Sequence, residues 1–237
     1  MSQPIDWGEL FGSDEDQETP SHNEGDILQS WHSIPGLQLA QHSLTHDEQM
    51  QLTNDIIRHG YFDDAAGVNQ AMCFGTLPSH FQWLCEWVRQ QPELLPPNLR
   101  DREPLFDQAI LNFYHKGQGI ISHVDLERFE DGIVIVSLLS SCVMTMRPAD
   151  KSKVGYSASK SGEPSGKVEV PVLLSPGSVM AMSGSARYDW EHGIKEQLVD
   201  TYGNITIQRG TRISVTLRKL KPGQSLSEEA TQRRRPR

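Results

Sequence analysis

Residues 106–125 read FDQAILNFYHKGQGIISHVD, and few architectures accommodate that succession of features. A short alternating run ends in Asn112 and Tyr114, which fits an extended strand. A turn carrying Gly117 and Gly119 comes next, and then His123 and Asp125 stand one residue apart. On extended backbone, side chains at i and i+2 point to the same side, so this imidazole and carboxylate can grip one metal ion together. A strand that presents such a pair needs a sheet around it.

The downstream sequence supplies one. Residues 132–139 (GIVIVSLL) have the β-branched run of a buried strand, and residues 142–147 alternate. Two further strands, over 168–174 and 179–183, flank Ser-Pro-Gly-Ser, a turn signal. Residues 148–167 are rich in Ser, Gly and Lys and read as a mobile hairpin insertion.

Helices are expected earlier in the chain. Thr45 and Glu48 have the spacing of a capping box, with Leu44 before the cap, and predict a helix over 46–59. Phe81, Leu84, Cys85 and Val88 predict a second over 79–91, stopped by Pro92. Trp83 and Trp87, one turn apart on that helix, are expected to pack against the sheet. Residues 63–77 show no clear period and suit either a cover over the site or a plain connection, and 92–104 reads as a linker. About eight short antiparallel strands after early helices make the fold class mainly β (α+β), a double-stranded β-helix or jelly roll with flanking N-terminal helices.

Charge divides the chain. Residues 1–57 hold 11 of the 31 acidic residues and none of the 22 basic ones, so the net charge of -9 belongs to the front and the remainder is slightly positive. A nucleic-acid substrate is therefore not excluded. Residues 1–30 read as a disordered acidic leader, in which Ile5, Trp7, Leu10 and Phe11 offer a docking motif as the sharper alternative. A folded domain is expected over 31–221 and a basic disordered tail over 222–237. No run approaches the roughly 20 apolar residues of a membrane span. Cys73, Cys85 and Cys142 are too few and too scattered for a disulfide framework, which leads to reduced thiols and a cytoplasmic or nuclear location.

His123 and Asp125 alone are a weak motif; the order of the later motifs gives them weight. His192 comes several strands later in RYDWEHGI, bracketed at period two by Trp190 and Ile194, and supplies a third ligand. Two histidines and one carboxylate on one face of an iron form the facial triad of non-haem Fe(II) oxygenases. The bland alternative is a core histidine bonded to backbone, and His115 is read as a turn residue. Last comes RISVTLR, which places Arg212, Ser214, Thr216 and Arg218 on one strand face and Ile213, Val215 and Leu217 on the other. Guanidinium forks match carboxylates, so a dicarboxylate such as 2-oxoglutarate would pair these arginines. Solvent exposure on an edge strand is the competing reading.

The combination of NFYHKGQGIISHVD, SGSARYDWEHGI and RISVTLR resembles the AlkB-like Fe(II)- and 2-oxoglutarate-dependent dioxygenases over residues 106–220. It is most similar to the eukaryotic branch that includes oxygenases acting on tRNA wobble uridine. That resemblance implies Fe(II) on His123, Asp125 and His192, with O2 as oxidant. It implies 2-oxoglutarate on Asn112, Tyr114, Arg212 and Arg218, with Ser214 standing where the family often has asparagine. The expected activity is oxidative demethylation or hydroxylation of a modified nucleobase in RNA or DNA, tRNA included. A protein side-chain hydroxylase or demethylase of the same chemistry, and a non-catalytic interaction module on the same fold, are the alternatives. The sequence leaves the oligomeric state open.

Overall fold

The computed structural model describes residues 28–63, 67–150 and 168–224. Residues 1–27 of the acidic leader with the docking motif, most of the 148–167 insertion and the arginine tail lie outside the described residues, whereas the last three residues expected in the leader, Leu28–Ser30, are a strand paired with Gln38–Ala40.

Seven strands form the major sheet: β1 (Leu28–Ser30), β2 (Leu37–Ala40), β3 (Gln70–Phe74), β4 (Gln108–Tyr114), β6 (Ile133–Leu138), β9 (Val179–Met182) and β13 (Arg212–Arg218). Their spatial order is β1-β2-β9-β6-β13-β4-β3. The minor sheet runs β5-β10-β7-β8, from β5 (Ile120–His123), β7 (Cys142–Pro148), β8 (Val170–Leu174) and β10 (Trp190–Ile194). A separate hairpin joins β11 (Val199–Tyr202) to β12 (Ile205–Gln208). Every strand pair is antiparallel, as in a jelly roll. Thirteen strands are described rather than about eight, chiefly because the N-terminal pair, β3 and the β11–β12 hairpin are added to those expected.

Period-two alternation decides which way each side chain faces. On β4, β6, β9 and β13 one set of residues, including Leu111, Val136, Ala181 and Val215, packs under the helices. The opposite set, including Ile135 and Met180, packs against the minor sheet through Met144, Met146, Val172 and Leu174. β6 is buried along its whole length because both of its faces are covered, which is why it reads as an unbroken apolar run.

Two helices close the outer face. In α1 (His46–Arg58) the expected capping box is present: Glu48 N donates to Thr45 Oγ1 at 3.3 Å, and Thr45 N donates to Glu48 Oε2 at 2.7 Å. Leu52 and Ile56 on its inner side are fully buried, each worth roughly 1.5–3 kcal/mol. α2 (Ser79–Arg89) buries Phe81, Leu84 and Val88, and Trp83 and Trp87 pack partly buried against the same cluster.

Two stretches differ from expectation. Residues 63–77 contain β3, which pairs along β4 from Gln70↔Asn112 to Phe74↔Gln108. Its sequence QAMCF hides the strand because no residue contrast marks its two faces. The expected linker over 92–104 contains one helical turn, Pro97–Arg100, entered through Pro97 at its first position.

Candidate functional site

The inner side of the sandwich opens between β4 and β13 of the major sheet and β5 and β10 of the minor sheet. The cavity there measures about 120 Å3 and is lined by His123, Asp125, His192, Asn112, Tyr114, Arg212, Ser214 and Arg218 together with Gln70 and Thr216. Its size is on the scale of a cavity that accepts a benzene-sized molecule. A small acid fits inside. His115 is not part of this lining and sits in the β4–β5 connection.

The histidines come from neighbouring strands. His123 and His192 are cross-strand partners of β5 and β10, with ring centroids 4.5 Å apart. His123 Nδ1 bonds to the Ile121 carbonyl at 2.8 Å, which turns Nε2 away across the ring. Asp125 lies just beyond the end of β5, so only the histidine of the pair is on the strand itself. Its Oδ2 is 3.7 Å from His192 Nε2 and is buried with no hydrogen-bond partner, while Oδ1 accepts from Arg218 Nη1.

Electrostatics keep His192 and Asp125 in ligating form. Burial pushes the His192 imidazole down to about 4, against the pull of Asp125. Burial alone would raise the Asp125 carboxyl, but His192, Arg218, His123 and Arg187 outweigh it and hold the carboxyl below its ordinary value. A neutral imidazole beside a carboxylate is the protonation state that binds a cation. The side chains are gathered without being closed on a point: among the described residues no three His, Cys, Asp or Glu side chains form a preformed metal cluster. The donor set of two imidazoles and one carboxylate, with one buried oxygen left unpaired, fits a divalent cation.

Opposite these groups, β13 contributes two buried guanidiniums. Arg212 donates from Nε to Ser137 Oγ at 2.8 Å and lies 5.2 Å above the Tyr114 ring. Arg218 donates from Nε to Gln108 Oε1 at 2.8 Å and rests 4.0 Å above the Phe129 ring. Each leaves one buried Nη2 with no partner. Both arginines line the cavity, but Arg218 reaches Asp125 and is not reserved for an acid. Ser214 lies between Asn112 and Ser137 in the ladder, and Asn112 accepts at Oδ1 from Gln70 Nε2 at 2.7 Å.

Four contributors were not assigned a role from sequence. Gln70 depended on recognising β3; Gln108 opens β4 on the same face as Asn112, Ser137 is the one polar residue of β6, and period alone aims both inward. Arg187 is 2% exposed and, among the described residues, bonds only to backbone carbonyls, a role with no spacing signature.

The chain is similar to known proteins in sequence and in fold. The model of the 2OG-Fe(II) oxygenase superfamily matches residues 76–218, from just before α2 to the end of β13. An Arabidopsis thaliana protein named "Alkylated DNA repair protein ALKBH8 homolog" is 30% identical over 82% of this chain and 61% of its own length. The Mus musculus "tRNA (carboxymethyluridine(34)-5-O)-methyltransferase ALKBH8" is 29% identical over 85% of this chain and 29% of its own length. The Bos taurus mitochondrial "Alpha-ketoglutarate-dependent dioxygenase alkB homolog 7" is 35% identical over about half of each chain. This chain thus spans less than two thirds of each of these relatives. In fold, it matches "The structure of OsALKBH1" with a TM-score of 0.51 and 19% identity over 81% of this chain. With more than half of its length inside the family match, the chain belongs to the 2OG-Fe(II) oxygenase superfamily, and its relatives place it among the AlkB-like members.

Proposed function

We propose that this protein is a 2-oxoglutarate- and iron-dependent oxygenase acting on a modified nucleobase in RNA or DNA, tRNA included, and that His123, Asp125 and His192 hold its Fe(II). The observation that carries the site assignment is the set of unpaired buried atoms. Asp125 Oδ2 calls for a cation, and Arg212 Nη2 and Arg218 Nη2 call for an anion, all in one cavity. Leaving such groups buried and unpaired costs about 1–3 kcal/mol each, and more for charged ones, so an iron ion and a dicarboxylate are the complement.

Arg212 would take the carboxylate of 2-oxoglutarate through Nη2, with its Nε already fixed on Ser137 so that little conformational freedom is lost on binding. Tyr114 beneath the guanidinium offers a phenol, and Ser214 a hydroxyl, from adjacent positions. Gln70 occupies the Asn112 carbonyl oxygen and leaves the Asn112 amide N–H group for the acid. Arg218 holds Asp125 Oδ1, so the carboxylate would present Oδ2 alone. The bound iron and 2-oxoglutarate supply the oxidising chemistry with O2. Ile135, Met144 and Ile194 contribute the apolar part of the cavity lining.

A base must leave its stack to reach so small a cavity. Nucleic acid is the shared theme of the Arabidopsis and mouse relatives' names, and this supports the substrate class. The methyltransferase activity in the mouse name is not carried over, because the chain matches only 29% of that protein. Hydroxylation of a carbon on nitrogen ends in formaldehyde and a demethylated base, whereas elsewhere the alcohol remains.

Anaerobic titration with Fe(II) and 2-oxoglutarate tests the site. A weak visible charge-transfer band is expected with both additions and should vanish in His192→Ala; no band in folded protein overturns the assignment. Succinate and formaldehyde release should then be compared for modified RNA, modified DNA and peptides. Stimulation by peptide alone would replace the nucleobase reading with a protein side chain.

A further inference from the structure

The ladder that joins β5 to β10 ends at His123↔His192. Asp125 is two residues further on, where no strand pairing holds it. Arg187 stands at this place. It belongs to the helical turn Ser185–Tyr188, which leads directly into β10.

Its guanidinium donates from Nη1 to the Asp125 carbonyl at 3.0 Å, and from Nη2 to the carbonyls of Leu126 at 2.8 Å and Phe129 at 3.5 Å. Among the described residues no carboxylate is within ion-pair distance of it, whereas Arg209, Arg147 and Arg218 each have one. A buried guanidinium without a paired acid is expensive, and in this one both Nη groups are spent on a single stretch of backbone. That stretch carries Asp125.

We infer that Arg187 is a positioning residue: it fixes the backbone of Asp125 to the segment that carries His192, and so sets the separation of two proposed metal ligands after the strand ladder has ended. The inference rests on the metal reading above. A planar fork with several donors suits the task because it spans successive carbonyls, which a lysine ammonium cannot do from one point. The two ends of Asp125 are then held independently, the carbonyl by Arg187 and the carboxylate by Arg218.

The test uses the full chain, with Arg187→Met, Arg187→Lys and the distant core variant Leu52→Ala as a stability control. Hydrogen exchange of residues 125–130 is read in metal-free protein, and Mn(II) affinity is measured by calorimetry. Arg187→Met is expected to speed exchange in that segment and to weaken Mn(II) binding roughly 10- to 100-fold, the range for partners that orient a ligand. Arg187→Lys should fall between Met and wild type. Leu52→Ala should lower the melting temperature yet keep both readouts at wild-type values. Wild-type exchange in 125–130, or wild-type Mn(II) affinity, in Arg187→Met overturns the inference. If Arg187→Met does not fold, Arg187→Lys decides by the same two readouts. Failure of the wild-type protein to bind Mn(II) at all sinks the metal reading instead, and reduces Arg187 to a loop clamp if exchange still rises.

Discussion

Two buried Arg–Asp pairs lie within this one domain, and they are finished to different degrees. Asp200 receives both Arg209 Nε and Nη2, at 2.6 and 2.7 Å, and also the Gln197 amide and the Val143 backbone N–H; Arg209 gives its remaining Nη1 to the Gln118 carbonyl. Neither side chain has an unpaired buried atom. Asp125 and Arg218 are as deeply buried, yet each keeps one polar atom without a partner. Burial and charge are therefore alike in the two pairs. What separates a structural pair from one with vacant valences is completeness, and completeness is visible only when every bond of both side chains is counted.

The comparison can be broken most severely at Asp125. Asp125→Ala should abolish Fe(II) binding and all 2-oxoglutarate turnover, read as succinate; retained turnover would mean that the unpaired Oδ2 has no ligand role. Asp200→Ala should do the opposite. It leaves a buried guanidinium without its acid, at a cost of about 3–5 kcal/mol in urea unfolding, while the folded fraction still binds Fe(II). Metal loss in that variant, or no loss of stability, would erase the distinction between the pairs.

Arg212→Ala comes next, with an expected loss of about 2–5 kcal/mol in 2-oxoglutarate binding and little change in Fe(II) affinity. An unchanged 2-oxoglutarate requirement would remove Arg212 as the anchor. The last effect is on pH. The His192 value falls from an ordinary 6.5 to about 4 in the fold, so between those values the unfolded chain takes up a proton that the folded chain refuses. Metal-free protein should therefore lose stability as pH falls from about 6.5 to about 4, by on the order of 3 kcal/mol, with no further loss from this group below that. His192→Gln should flatten that slope; an equal slope in the variant would place the titration elsewhere.

Much of this was legible because period two carries direction. RISVTLR sorted itself into an apolar face under the helices and a polar face in the cavity, and Thr45 with Glu48 located the start of α1 to the residue. His192 could be chosen over other histidines from its place on a strand late in the chain. β3 was not legible, because an edge strand covered on one side by helices and on the other by the cavity shows no contrast between its faces. Nor was the partner of Arg218. Residue spacing says which face a side chain leaves from but not which of two acceptors across a cavity it reaches, and the approach of β13 to Asp125 depends on how the two sheets lie on each other.

The place of β13 in the major sheet has a further consequence. It is flanked by β4 and β6, and Gln108 and Arg218, which meet across it, are 110 residues apart in the chain. The strand that completes the sheet's middle is therefore synthesised after every other member of that sheet. Until it arrives, β4 and β6 have open edges toward each other, and neither Arg212 nor Arg218 is in place. Closing so long a loop is slow relative to local pairing, so a nascent chain is expected to hold the major sheet as two separate pieces, β1-β2-β9-β6 and β4-β3, with none of its anion site. Chaperone protection and the first appearance of 2-oxoglutarate binding should both be timed by the emergence of residue 218 from the ribosome.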